Sequence, residues 1–418
     1  MGSRGIPRIS SSGGGGGPPP GDSQDRFAPK YMVGNELAGD TAPAYSAGGF
    51  VYILDPGDGT GIEAALALAA INPGDISVRP GVYDFAAGAA VMPLSVPDGV
   101  RITGSGPGTC ELRSRTSGDQ GIFELGTQVG IEDIAFVVQS AGEAIYLGSQ
   151  AVITNLGDGG GYVARCTFSL SLAAASVLRA CVLDGGPGSF AVRQCSGTGP
   201  SVGGLDPDLW ISFVVAAKTG SGRLTMPGNA VVGFDVGLLC DDVAGVDDVL
   251  VQDLSATAFA LYAVYQRGYG FLGLSDCFFL LEDVTAGVVV FGAAIVGPGS
   301  TPGSHIIDST IASSAGTQTA PAVLIRSGAG GGYTRVQNNL ITWDRVGAVV
   351  SVGTASGSCN YNLIQNNQIF NVNADPVAAG VEIFNNGCIS NIVSTNVIVA
   401  SIPVVNNSTS TQIMGNTP

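Results

Sequence analysis

A short motif that returns at a fixed interval limits this 418-residue chain more than any other feature. Val336-Gln337-Asn338-Asn339-Leu340-Ile341 reappears as Ile364-Gln365-Asn366-Asn367-Gln368-Ile369, and Ile392-Val393-Ser394-Thr395-Asn396-Val397 stands at the same interval again. A looser copy, Ile306-Ile307-Asp308-Ser309-Thr310-Ile311, precedes the first at a slightly longer interval. Short strands alone would suit a sandwich, a propeller or a solenoid, and a repeated unit of about 28 residues selects the solenoid. In a parallel β-solenoid each coil lies one strand spacing, about 4.8 Å, above the last, so like residues stack on like. Asn tolerates the left-handed conformation of a tight bend, and stacked Asn side chains hydrogen-bond along the ladder. The spacing therefore predicts Asn338 over Asn366 and Asn339 over Asn367. Cys166 and Cys195 are separated by nearly the same interval, as are Cys359 and Cys388, and both pairs read as small apolar ladder residues. A disulfide fits them less well, because stacked side chains run parallel instead of pointing at each other.

Composition removes the competing classes. Charged residues are 12% of the chain and apolar ones 45%, which is the reverse of a disordered chain. Only two lysines are present, Lys30 and Lys218, so a mainly helical protein is excluded. The 64 glycines cluster in turn-like groups such as Gly157-Asp158-Gly159-Gly160-Gly161, without collagen's period of three. These glycine groups lack the Lys-Ser/Thr of a phosphate loop. A net charge of −16 argues against nucleic acid and anionic membranes as partners. The densest basic cluster, Arg113-Ser114-Arg115 beside Glu111, reads as a solvated edge. No apolar run reaches the length of a membrane span, and Val284 to Val296 reads as buried strand and turn. The other cysteines are Cys110, Cys181, Cys240 and Cys277; no two of the eight are at CxxC spacing, and the one histidine is His305. A zinc site is therefore not expected, and the thiols read as reduced core residues of a protein made in a cytoplasm.

Four segments follow along the chain. Residues 1–26, with GGGGGPPP at Gly13 to Pro20, read as a flexible arm without the apolar run of a secretory signal. Residues 27–49 hold a few aromatics among turn residues and read as a docking segment. Residues 50–84 read as an entry strand, a turn and a capping helix over Ile62 to Ile71, with Thr60 as N-cap, Glu63 completing a capping box and Pro73-Gly74 as the stop. Residues 85–418 read as the solenoid, about twelve coils and about 55 to 60 Å long at the strand spacing. The Ala/Leu-rich helix before the first coil has a task there, since a solenoid end leaves apolar surface to be covered.

Asp58-Gly59-Thr60, the helix Ile62-Glu63-Ala64-Ala65-Leu66-Ala67-Leu68-Ala69-Ala70 and then Arg79-Pro80-Gly81-Val82-Tyr83 resemble the entry of the pectate-lyase-like superfamily. The resemblance implies an all-β right-handed parallel β-helix with a short capping helix. The Gly/Pro-rich arm, docking segment and helix cap together are most similar to phage virion members, of the tailspike or capsid-decoration type. That implies a homotrimer held to other virion proteins through the N-terminal arm, located in the virion after assembly in the host cytoplasm. Fold alone does not fix activity.

Catalytic signatures are sparse. A lyase of this superfamily needs Arg or Lys facing a calcium-holding carboxylate cluster, and a hydrolase needs paired carboxylates. The polygalacturonase-like motifs are not present as a set, and His305 in PGSH reads as a loop histidine. Asp241, Asp242, Asp247, Asp248 and Asp253 form the densest acidic group, which reads as turns and a solvated face before it reads as a metal or hydrolytic site. Trp210, Tyr262, Tyr265, Tyr269 and Phe271 are the richest aromatic set and read as core or subunit packing before sugar binding. No catalytic, metal or cofactor residue is assigned. The expectation is a structural virion protein, with a polysaccharide depolymerase or a non-enzymatic binder of a host surface glycan as the alternatives.

Overall fold

A computed structural model describes residues 29–41, 50–85, 93–114, 122–139, 150–155, 160–171, 178–183, 189–200, 212–216, 223–240, 248–257, 262–266, 271–281, 292–296, 304–313, 318, 321–325, 333–353, 359–384 and 387–417. Three long sheets, all of parallel pairs, run the length of the molecule: sheet A of 15 strands, and sheets B and C of 12 each. The chain visits A, B and C in turn, giving twelve full coils of a right-handed parallel β-helix from Ile76 to Asn406. Coil length varies: the stretch from Phe190 to its partner Leu224 is the longest and that from Val393 to Ile413 the shortest, with the difference taken up between strands.

The motif that repeats in sequence is the bend from sheet A to sheet B. Its first residue is left-handed: Asp253, Asp276, Asp308, Asn338, Asn366 and Thr395 all have φ between 51° and 57°. Its second residue points inward and forms one column, which includes Cys166, Cys195, Asn229, Cys277, Ser309, Asn339, Asn367 and Asn396. Asn339 Nδ2 donates to the Ile306 carbonyl (2.9 Å) and to Asn367 Oδ1 (2.9 Å), while its own Oδ1 accepts the Ser309 N–H (3.0 Å). Asn367, Asn396 and Asn416 continue the same pattern. The predicted stacking of Asn338 on Asn366 and Asn339 on Asn367 holds. The third copy is displaced by one residue: Ile364 pairs with Val393, not Ile392, so Thr395 is the left-handed residue and Asn396 the ladder residue. Burial decides this register, because a slip of one would turn Val393 out of the core and Ile392 into it.

Both cysteine pairs stack as expected, Cys166 and Cys195 at this bend and Cys359 and Cys388 at the turn from C to A. All eight thiols are free and buried. Burial pushes Cys277 up to about 11 and Cys110 and Cys359 up to about 12, which keeps these sulfurs protonated and unreactive. Inside the early coils Phe123, Phe136, Phe168, Phe213 and Phe234 form a continuous aromatic spine with centroid spacings of 5.2 to 6.1 Å. Gly197 makes the spine possible: a Cβ there would stand 2.8 Å from the Phe213 ring.

The N-terminal end is built more tightly than the sequence suggests. β1 (Tyr31–Asn35) lies in sheet A between β2 (Val51–Asp55) and β3 (Ile76–Val78), so among the described residues regular structure is present from Tyr31, ahead of Phe50. Tyr31 and Val33 are buried, so part of the segment read as a docking element belongs to the rod's own sheet. The coils likewise begin at β3, ahead of residue 85. The helix α1 (Thr60–Ile71) covers the end with Ile62, Ala65, Leu66 and Ala69. Its cap is not Thr60 and Glu63 but buried Asp55, whose two carboxylate oxygens accept five backbone N–H groups, from Gly57, Asp58, Gly59, Gly61 and Ile62. At the other end Tyr31 Oη donates to the Asn72 carbonyl (2.7 Å), so the helix stops before Pro73. The Pro80-Gly81-Val82-Tyr83 stretch has a similar logic: buried Tyr83 donates to the Arg79 carbonyl (3.0 Å) and fixes the corner into the first sheet B strand.

The bend chemistry separates two neighbouring asparagines. Asn339→Ala leaves a buried N–H without an acceptor and is expected to cost about 1–3 kcal/mol in urea unfolding. Asn338→Gly keeps the left-handed backbone at an exposed position and is expected to stay within about 0.5 kcal/mol of the parent.

Candidate functional site

The residues singled out in the sequence are dispersed over the rod. Asp241, Asp242 and Asp247 lie outside the described residues, as do Trp210, Tyr269 and Arg115. Asp248 begins a sheet A strand in register with Arg223, and Asp253 is the exposed left-handed residue of the bend that follows. His305 is not in a loop: it opens the sheet A strand His305–Ile307, lies over Gly273 and meets Phe271 edge to face at 5.4 Å. Tyr262 and Tyr265 are on sheet C, stacked at 4.5 Å and buried, so the aromatic set divides between two faces. Arg113 is paired with Glu111 on sheet B. Among the described residues no three His, Cys, Asp or Glu side chains gather as a metal-holding group, and no helix is long and apolar enough to cross a membrane.

One polar group at the turn from sheet B to sheet C is built by neighbouring coils. Asn371 holds the turn before the strand Ala348–Val352, accepting the Arg345 N–H (3.2 Å) and donating to the carbonyls of Arg345 (2.9 Å) and Gly347 (3.0 Å). Arg345 Nη1 in turn donates to the Ala348 carbonyl (2.7 Å). Glu382 stands in register with Ser351 on the same face. Burial raises the Glu382 carboxyl above its ordinary range against the opposing pull of Arg345, and burial lowers the Arg345 guanidinium.

The second group does not stand out in the sequence. Tyr333 and Tyr361 sit at the turn from sheet C to sheet A, with ring centroids 5.1 Å apart and planes within 12°. Both are about half exposed, at 50% and 48%. Both have left-handed backbones, φ 67° and 59°, a conformation that costs a bulky residue about 1–3 kcal/mol. Their amides are spent on the coil below, Tyr333 N–H donating to the Asn360 carbonyl and Tyr361 N–H to that of Ile389. Ladders directly beneath fix the turn: Asn362 Oδ1 accepts the Thr334 N–H (3.1 Å), and Asn391 Oδ1 accepts from both N and Nδ2 of Asn362 (2.9 Å each). The next position in the column is Ser390, whose side chain is small. A signal is present all the same: Tyr333 precedes Asn338 by as much as Tyr361 precedes Asn366, so the tyrosines keep the interval of the asparagines.

Compared with known proteins, the chain matches no protein-family model and no curated protein. Among solved structures it is similar to the catalytic unit of a GH87 alpha-1,3-glucanase from Streptomyces thermodiastaticus, with TM-score 0.54, 13% identity and 86% of this chain covered. It spans 65% of that glucanase chain. It is also similar to the A-module of a mannuronan C-5 epimerase from Azotobacter vinelandii, with TM-score 0.53, 13% identity, and 85% of this chain and 95% of the module covered. These likenesses establish the fold, the parallel β-helix.

The perturbed carboxyl gives a signed expectation. A carboxyl whose folded pKa is raised contributes stability below the unfolded value, about 4.3, and loses it as pH rises through the folded value. Glu382→Gln carries no charge to desolvate. Its melting temperature relative to the parent is expected to be higher at pH 7 than at pH 4, and an equal difference at both would contradict the assignment.

Proposed function

We propose that this β-helix engages polysaccharide, with the Tyr333–Tyr361 stack as the contact platform. The carrying observation is the cost the chain accepts there: two large rings are held half in water on left-handed backbones, stacked on each other. Every other left-handed non-glycine position among the described residues holds Asp, Asn, Gln, Ser, Thr or Arg, and Asp and Asn fill such positions with the least strain. Aromatic faces suit the apolar faces of sugar rings, and an extended rod presents them to a long polymer. The carbohydrate-acting names of the two structurally similar proteins support the same reading. Binding without cleavage is the form proposed here.

A finer reading places the protein on a phage particle, anchored through the arm and displaying the rod. The support is the order of parts: GGGGGPPP precedes β1, at the helix-capped end.

Two experiments test these readings. In pull-down of the full chain on a panel of insoluble and capsular polysaccharides, Tyr361→Ala and Tyr333→Ala are each expected to weaken binding about tenfold. Unchanged binding by both variants would refute the platform, and release of shortened oligosaccharides by the parent would make the protein an enzyme. For anchoring, removal of residues 1–28 should abolish incorporation into particles while leaving a folded rod. Removal of 1–49 is not an equivalent test, since it takes β1 out of sheet A.

A further inference from the structure

We infer that the outer face of sheet B is a self-association surface that packs against a second copy of this chain. The inference is independent of the tyrosine platform. Across ten consecutive strands of sheet B, from Ala135–Gln139 to Val397–Val399, no position is acidic, basic or histidine. The charges of this sheet, Asp84, Glu111 and Arg113, are confined to its first two strands. The contrast with sheet A is sharp: its outer face carries Arg101, Glu132, Arg193, Arg223 and Arg335, and Arg193 lies 4.8 Å over the Tyr162 ring. Part of the outer face of sheet C is already withdrawn from solvent, with Val236, Leu239, Tyr262 and Tyr265 all buried. Sheet B is the face left both uncharged and open, with apolar side chains among small hydroxyl residues. Val232 is 45% exposed, Phe278 41%, Leu340 40%, Val397 40% and Val399 48%.

Charge and area select the occupant. Two molecules that each carry −16 repel, and they approach most cheaply where neither presents charge. A strip of ten strands is about 48 Å long and, with two outward residues per strand, about 10 Å wide. That is about 500 Å² per chain and about 1,000 Å² for a pair, which is the lower bound of a specific interface and matches the largest patch, often a functional one, that a solitary protein leaves bare. Along one border runs the left-handed column, with Asp133, Arg165, Asp253, Asp276 and Asp308, which supplies a polar rim.

The test is the mass of the full chain by light scattering after size exclusion, at low and at high salt. The expected parent mass is a multiple of the 41.9 kDa chain in both, since the contact contains no ion pairs to screen. Val232→Glu and Leu340→Glu, which place a charge in the strip, are each expected to fall to 41.9 kDa with unchanged circular dichroism, while Gln252→Glu on exposed sheet A keeps the parent mass. A parent of 41.9 kDa, or folded Val232→Glu and Leu340→Glu proteins that retain the parent mass, overturns the inference. If the charged variants do not fold, Val232→Cys reads the same face. Maleimide labelling at least about tenfold slower than at a cysteine placed at Gln252 supports the interface, and equal labelling overturns it.

Discussion

The fold depends on one recurring demand: at all but one of the passages from sheet A to sheet B the chain turns within two residues, and at most of these bends the buried one satisfies backbone groups of its neighbours, with Ile134 and Leu254 as apolar exceptions. A coil that turns so sharply removes amides and carbonyls from the sheet ladders and from water at once. Asn meets the demand best, because one side chain both donates to the coil before it and accepts from it. Asn339, Asn367, Asn396 and Asn416 form an unbroken ladder of such contacts. Upstream, Ser309, Cys277, Cys195 and Cys166 take the same place with smaller polar or weakly polar side chains, and Asn229 reappears among them. Register, coil stacking and the direction of every strand follow from keeping that column inside.

Once the column is fixed, the outer faces are free to differ, and functional capacity resides there. Sheet A carries the charges, sheet C a partly covered surface with Glu382 and Arg345 near its end, and sheet B an uncharged strip. The tyrosine stack lies at the opposite turn, where a second ladder through Asn362 and Asn391 makes a left-handed backbone tolerable for large residues. The strain is local and the scaffold that carries it is rigid, which is the arrangement expected of a binding feature.

The bend is legible in the sequence because it is where residue identity is chemically forced. Asn338-Asn339 and Asn366-Asn367 align by eye, and twelve coils follow from the period. The third copy misaligns by one because Ile392 and Val393 are equally apolar, and only burial distinguishes inside from outside. The entry strand β1 escapes a linear reading since Tyr31 to Asn35 is separated in sequence from both partners. The helix cap escapes it because Asp55 acts from the preceding strand and not from the usual position before Thr60. The tyrosines are obscured for a different reason: they obey the same interval as the asparagines, but in loops of Gly, Asn and Ser they do not look like strand residues. The charge-free stretch of sheet B is not visible at all until strands from successive coils, far apart in sequence, are laid side by side.

Amide hydrogen exchange at the bends is the most direct test of the central claim, that the buried bend column holds the coils in register. The N–H groups of Ser309, Asn339 and Asn367 donate to the side chain one coil on, outside any strand ladder. The account predicts that they exchange as slowly as the core strand amides beside them and are released together with those strands. Exchange at the rate of solvent-exposed turns, with the strands still protected, would contradict it.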